Sequence, residues 1–332
     1  MKISEIAALA GVSSAAVSRY LNGGSISEEK KEKIRKVIEE TGYVPNVAAR
    51  SLRQRRSSSI GVVVPKINSD SVSNLMEGVS SVLSGSDYLT IFGNAGNDKR
   101  QELDYLRMMQ EVKLAGIILM GTVLTPAHIR FFKESDIPIV VCGQNHSSVS
   151  CIYHDDRRAA REITRHILGK GRKRLAFVGA VESDISVGLN RRIGVEEAMG
   201  EASINPESLI KTQVYFSIDD GSRGMNEILD SGFVPDGVIC ATDTIAVGAM
   251  KALKERGYKI PDDISVGGIG GGIAGTIISP ALTTVQLFHR ESGEKAAQLL
   301  LSMIEYSREH SGEKLPLTHT MLGYRLIERE SV

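Results

Sequence analysis

The chain has 332 residues, enough for two or three domains, with 42% hydrophobic, 24% charged and 5% aromatic residues and no tryptophan. No apolar run approaches the roughly 20 residues of a membrane span, the opening MKISEIAALAG has no secretory apolar core, and Cys142, Cys151 and Cys240 form no CxxC pair. Membrane, secreted, disulfide-stapled and zinc-site classes are thereby set aside, and a reducing cytoplasm is the expected location. The formal net charge is zero. However, residues 1–59 carry 11 Lys+Arg against 6 Asp+Glu, leaving 29 against 34 beyond. A small basic module on a larger acidic body points to one part that meets a polyanion and one that does not.

The first 45 residues read as three short helices. Ile3, Ile6, Ala7 and Ala10 recur at helical spacing until Gly11 stops the run. Ser13 is placed to cap a second helix, SAAVSRYLN, with Val17 and Leu21 turned inward and Ser14, Ala15, Ser18 and Arg19 turned outward. Two helices joined by a tight glycine turn make a helix-turn-helix, whose second helix fits the DNA major groove. A third helix opens at Ser27 and ends at Gly42. On pattern alone a generic three-helix bundle fits as well. After Tyr43-Val44-Pro45, Asn46 can cap a short helix over 47–52, and Arg50, Arg53, Arg55 and Arg56 followed by three serines read as a linker that orders on DNA.

AxxAGVSxxxVSRxLN from residue 7, GYVPNxxARSL at 42–52 and IGVVVP at 60–65 together resemble the lactose/galactose repressor (LacI/GalR) family of bacterial transcription factors, along the whole chain. The resemblance implies a hinge helix in the operator minor groove, where Leu52 matches the leucine that wedges open a central base step; such unstacking costs a few kcal/mol, offset by contacts to the bent duplex. It implies DNA contacts from Ser13, Ser14, Ala15, Ser18, Arg19, Asn22, Asn46 and Arg50 as well. Arg19 suits a bidentate contact to a guanine edge, and Ala15 suits a thymine methyl. Ala16 stands where the family usually has threonine, so one phosphate contact is expected to be missing.

From Ile60 onward, short apolar runs alternate with amphipathic stretches: 60–65, 88–93, 116–121 and 137–143, then 174–180, 212–216, 237–242, 264–270 and 282–286. Such alternation means parallel sheets covered on both faces. Two series imply two lobes, with ligands beyond the carboxyl ends of their strands. The expected fold is α/β: an all-α helix-turn-helix headpiece followed by two doubly wound parallel-sheet lobes of the periplasmic-binding-protein-like type I. The expected boundaries are 1–45 for the headpiece, 46–59 for hinge helix and linker, and 60–332 for the effector and dimerisation domain. By the resemblance the chain crosses between lobes three times, with the first lobe about 60–157 and 288–313 and the second about 158–287 and 314–332.

GIGGGIAG (268–275) has the G-x-G-x-x-G spacing of a dinucleotide site. Pro280 follows too soon for the required helix, so a flexible strand-end loop is the better reading. The family commonly has aspartate at Gly270, which implies a divergent pocket here. His146, His154, Asp155 and Asp156 lack the spacing of a metal site, and no Ser-His-Asp order, nucleophile elbow or P-loop supports an enzyme. Neither metal nor cofactor is expected. Asp156 and Arg191 match pocket residues of the family, Thr242 and Asp243 its polar pair, Asp184 follows the strand at 174–180, and Ser69, Asp70, Ser71 and Ser73 follow the first strand. Hydroxyls and carboxylates converging from two lobes suit a sugar or sugar phosphate. HDD at 154–156, DISVGLNRR at 184–192 and SVGGIGGG at 265–272 look most like the sucrose-operon branch, so a sucrose-related effector is expected. The partners expected are palindromic double-stranded operator DNA, a small-molecule effector and a second copy of the chain, with no membrane. The sequence ends shortly after Ile327 without a heptad tail, from which a dimer is expected. The alternative from another class is a soluble sugar-binding protein of the periplasmic type with no DNA role. A DNA-binding protein with a ligand-blind body is a third.

Overall fold

The computed structural model describes residues 1–21, 24–43, 58–310, 312–313 and 315–332. The chain divides into two compact units, Met1–Ser57 and Ser58–Val332. In the smaller, helices α1 (Ile3–Leu9), α2 (Ser14–Leu21) and α3 (Glu28–Thr41) close around Ile6, Ala7, Ala10, Val17 and Ile34. Gly11 takes φ +62° in the turn before α2, a left-handed conformation natural to glycine. The Ser13 hydroxyl accepts the Ala16 amide at 3.2 Å and so caps α2. The five basic and five acidic residues of α3 cancel, several in exposed pairs such as Lys33–Glu29 at 2.7 Å and Arg35–Glu39 at 2.7 Å. The positive balance of the N-terminal region therefore resides in Arg19 and the arginines at 50–56.

The larger unit holds two six-stranded sheets. The first contains β1 (Ser59–Val64), β2 (Leu89–Asn94), β3 (Gly116–Met120), β4 (Ile139–Cys142), β5 (Ser150–His154) and, last in chain order, β11 (His319–Leu322). The second contains β6 (Leu175–Gly179), β7 (Ile210–Gln213), β8 (Gly237–Cys240), β9 (Ser265–Gly270), β10 (Thr283–Leu287) and β12 (Tyr324–Ile327). Their orders, β11-β5-β4-β3-β1-β2 and β12-β10-β9-β8-β6-β7, repeat one topology. All pairings are parallel except β10 with β12. Strand interiors such as Val62, Ile118, Val178 and Ile239 are buried, as sheets covered by helices on both faces require. In each sheet the order reverses at the first strand, β1 or β6, and the crevice for a ligand opens there, beyond the strands' carboxyl ends.

The chain crosses between lobes after β5, at Phe288 between β10 and helix α12 (His289–Glu309), and at Gly323 between β11 and β12. The last crossing differs from the expectation of 313/314, because His319–Leu322 runs parallel to β5 in the first sheet. That strand sits at a sheet edge with largely exposed residues, so it has no apolar run to announce it. The strand β5 is buried inside the sheet; it is absent from the expected series because its polar ends, Ser150 and His154, leave an apolar run of only three residues, Cys151–Tyr153.

Helix pairs on the two sheets approach through glycine. In the second lobe α9 (Ile218–Asp230) and α10 (Asp243–Glu255) meet where Gly248 faces the Ile218 carbonyl and Gly221 faces the Ile245 carbonyl. In the first lobe α4 (Asp70–Leu83) and α12 meet where Gly78 faces the Arg290 carbonyl and Gly293 the Leu75 carbonyl. A methyl at Gly248 overlaps backbone, so Gly248→Ala should destabilise by about 1–3 kcal/mol, the usual cost of overpacking, although alanine is the better helix former. Thermal unfolding checks this; an unchanged or raised Tm contradicts the close approach.

Candidate effector cleft and DNA-facing helix

On α2 the side chains of Ser14, Ala15 and Arg19 are exposed and Ser18 is half-buried, while Ala16 and Val17 are buried. Positions 14, 15, 18 and 19 span roughly 140° of the helix surface at 3.6 residues per turn. This face is opposite the core, as the helix-turn-helix reading requires. Ser13 is exposed at the helix start. Asn22, Asn46, Arg50 and Leu52 lie outside the described residues.

Between the two lobes lies a cavity of about 710 Å³. Its walls are the carboxyl ends of β1, β3 and β4 on one side and of β8, β9 and β10 on the other, with Ser69, Asp70, Ser71, Asp156, Asp184, Arg191, Thr242 and Asp243 all in the lining. Ser73 is exposed and is not part of the lining. It follows Ser71 by two residues, roughly 200° around α4, which carries it to the far side.

The floor is a buried ion pair. The guanidinium of Arg191 donates from Nε (2.8 Å) and Nη2 (2.6 Å) to Asp156 Oδ1 and from Nη1 to the Ala241 carbonyl, and both residues are about 4% exposed. Asp156 opens helix α7 (Asp156–Gly169), and Arg191 opens helix α8 (Arg191–Glu201) after a π-helical turn, Ile185–Asn190. Such turns re-aim side chains and recur at functional sites. Gly188 lets the turn lie against the Val181 carbonyl, where a Cβ would overlap.

Asp184 caps that turn through the Val187 amide, at 3.0 Å to Oδ1. The same oxygen accepts Gln144 Nε2 at 2.8 Å, and Ser186 donates to Gln144 Oε1 at 3.2 Å. Gln144 extends from the first lobe, so this buried network bridges the lobes. Oδ2 of Asp184 is buried without a hydrogen-bond partner. Burial pushes the Asp184 carboxyl up to about 6, against its bonds to Val187 and Gln144. A raised folded pKa means stability present below the unfolded value and lost as pH rises through about 6. Asp184→Asn should therefore stabilise the domain at pH 7.5 by about 2–3 kcal/mol, since each tenfold change in proton affinity is worth about 1.4 kcal/mol, and the gain should shrink on acidification towards pH 4. Thermal scans across that range test it; a variant equally destabilised at every pH contradicts the assignment.

Asp243 differs. Thr284 Oγ1 donates to its Oδ1 at 2.5 Å and the Gly272 amide to its Oδ2 at 2.6 Å, so its carboxylate is engaged in bracing the glycine-rich loop. Gly270 (φ +149°) and Gly271 (φ +78°) there adopt backbone conformations that other residues reach with strain. The helix after this loop, α11 (Ala274–Ile277), is one turn long, too short for a dinucleotide site. Thr242 caps α10 through the Ile245 amide at 3.3 Å, and the hydroxyls of Ser69 and Ser71 are 2.8 Å apart. Two further bonds join the lobes at the rim: the Ile273 amide to Asp70 Oδ2 at 3.0 Å and Lys66 Nζ to the Phe216 carbonyl at 2.6 Å.

Gln144, Gln286, Phe216 and Lys66 line the cavity and are not among the residues expected from the sequence; Gln144 was within reach, since it follows directly on the apolar run at 137–143. His154 and His289, with ring centroids 5.0 Å apart, stand at two of the interlobe crossings, and burial lowers both below the usual histidine range. Among the described residues no cluster of His, Cys, Asp or Glu suits a metal ion. No described helix is long and apolar enough to cross a membrane.

Residues 2–46 match the model of bacterial regulatory proteins of the lacI family, and residues 164–332 that of a periplasmic binding protein-like domain. The chain is 31% identical over 334 residues to the HTH-type transcriptional regulator RegA of Clostridium saccharobutylicum, covering 99% of this chain and 98% of that protein. It is 31% identical over 304 residues to the sucrose operon repressor of Staphylococcus xylosus, covering 92% and 94%. In fold it is similar to a lac repressor dimer solved with operator and the anti-inducer ONPF, with a TM-score of 0.86 at 21% identity, covering 100% of this chain and 98% of that one.

Proposed function

The chain belongs to the LacI family of bacterial regulatory proteins and is a transcriptional regulator rather than an enzyme; from that premise we propose that it is a repressor that binds a palindromic operator as a homodimer and is controlled by a sugar in the interlobe cleft. The observation that carries this reading is the cleft itself. An approximately 710 Å³ cavity with a buried Arg191–Asp156 floor lies at both topological switch points of a chain whose first 46 residues supply a helix-turn-helix. Such a site is concave, with apolar walls and a few fixed polar groups. The proposed effector contacts are Ser69, Ser71, Asp156, Asp184, Arg191 and Thr242, with Asp243 as a brace. The proposed DNA contacts are Ser13, Ser14, Ala15, Ser18, Arg19, Asn22, Asn46, Arg50 and Leu52.

Exposed apolar surface supports the homodimer. The edge strand β2 exposes Leu89, Ile91 and Phe92, and helix α5 (Lys99–Glu111), which follows it, is flanked by exposed Val112 and carries exposed Met108. In the second lobe Tyr215, Ile218, Ile273 and Ile277 are exposed. An uncovered apolar edge is a liability that a second copy removes. Coupling follows from connectivity, because residues 44–57 lead directly into β1 of the first lobe. A ligand held by both lobes changes their angle only through its differential affinity for the two arrangements. That angle sets the separation of the two hinge segments in a dimer. A short helix is marginal by itself, so moving the pair apart withdraws it from the minor groove.

Selection of binding sites from random duplexes, followed by sedimentation with and without the selected DNA, tests the reading. Palindromic half-sites bound by two chains are expected. An asymmetric site bound by a single chain contradicts it.

A further inference from the structure

The three connections between the lobes meet at two histidines. His154 ends β5 at the first crossing, and His289 opens α12 directly after the second, at Phe288. The third crossing, Gly323, follows Leu322, which pairs with His154 in the register of β11 on β5. The Leu322 carbonyl also accepts the Asp155 amide at 3.1 Å. The two rings stand edge to face, with centroids 5.0 Å apart. Both line the cavity from the first-lobe side, and His154 Nε2 is buried without a hydrogen-bond partner. A rotation of the lobes turns the backbone at 155, 288 and 323, so it moves this pair of rings against the second lobe.

The surroundings favour uncharged rings in the present arrangement. Burial is the largest effect and lowers both below the usual histidine range. The Arg191 guanidinium, on the second lobe, opposes a charge on either ring, and a charge on His154 opposes one on His289. Asp156 and Glu291 favour a charged His154. However, Asp156 already holds two bonds from Arg191, and Glu291 pairs with Lys295 at 3.6 Å. Arg290, next to His289, is exposed and pairs with Glu77 and Glu294. The remaining titratable groups of the lining nearby are Cys142, whose thiol burial raises to about 12, and Asp184, raised to about 6.

Lowered values mean that this arrangement is fully favoured above the usual histidine value of about 6.5 and loses favour as pH falls below it. One pH unit lower, each ring held neutral shifts the equilibrium towards an arrangement with hydrated rings by up to about tenfold. Asp184 has the opposite sign, because a raised carboxyl favours the present arrangement on acidification. Acid opening of the cleft can therefore come from the histidines and not from Asp184.

We propose that His154 and His289 form a proton-operated hinge: protonation of the pair turns the lobes apart, which makes the proton a second effector of the lobe angle, independent of the ligand that the cleft takes.

Distances between spin labels at Ser84→Cys in the first lobe and Ser208→Cys in the second, both exposed positions, test this on the full chain without DNA or sugar. The native cysteines are buried, and dilution of labelled into unlabelled chains leaves only distances within one chain. The interlobe distance is expected to lengthen by at least 3 Å between pH 8.0 and pH 5.5. With His154→Gln and His289→Gln together it should stay within 1 Å of its pH 8.0 value, whereas Asp184→Asn should open as far as the wild type or further. In the wild type, the ring-proton resonances of both histidines should titrate with the midpoint of the distance change, a readout that holds even where the double variant fails to fold. A wild-type distance that is constant across the range overturns the hinge. So does opening of the double variant with the wild-type midpoint, or opening of the wild type while both rings stay neutral.

Discussion

Arg191→Ala is expected to abolish the effector response and to destabilise the effector domain by about 3–5 kcal/mol. The second effect follows from burial. Asp156 is about 4% exposed and receives two bonds from this one guanidinium, so truncation leaves a carboxylate in the interior without a counter-charge. The Ala241 carbonyl, at the end of β8, loses its donor as well. A single variant therefore confuses lost binding with lost structure. Asp156→Asn combined with Arg191→Met removes both charges at similar volume, and such replacements are often neutral. This double variant should regain most of the stability in thermal unfolding while the ligand response stays absent. A variant lacking Arg191 that still responds at wild-type ligand concentrations shows that the floor of the cleft is not the effector site.

Arg19→Ala is expected to cost operator discrimination rather than DNA binding as such. A bidentate arginine–guanine pair contributes about 1–3 kcal/mol, so two half-sites of the proposed dimer lose about 2–6 kcal/mol, roughly 30-fold to 20,000-fold. Arg50, Arg53, Arg55 and Arg56 remain to meet phosphates, and non-specific binding should persist with a similar salt dependence. On the proposed wedge role of Leu52, Leu52→Ala should likewise weaken operator binding much more than non-specific binding, since a minor-groove wedge serves the specific complex alone. Anisotropy titrations on operator and scrambled duplexes measure both. Equal losses on the two duplexes contradict the assigned roles.

The alternation of apolar runs with amphipathic stretches made most of the fold legible, because buried parallel strands are continuous in hydrophobicity. Strands at a sheet edge or bearing polar ends escaped it: His319–Leu322 is mostly exposed, and Ser150–His154 carries its polar residues at both ends. The cleft was legible as strand ends, and Asp156, Asp184, Arg191 and Thr242 do line it. Orientation was not. Sequence position alone does not say that Asp243 turns to Thr284 and Gly272, or that Ser73 faces away from Ser71. Nor does it show Gln144 reaching across to Asp184, because that contact joins residues from separate lobes.

The central claim is that occupancy of the cleft sets the affinity of the helix-turn-helix for its operator. It is tested most directly by titrating the full chain onto a fluorescent operator, selected from random sequence, with and without a saturating concentration of a sugar that calorimetry shows to bind. The operator Kd should shift by at least tenfold, about 1.4 kcal/mol of coupling, and binding to scrambled duplex should be unchanged. An operator Kd that stays within twofold while calorimetry shows the sugar bound would contradict the account.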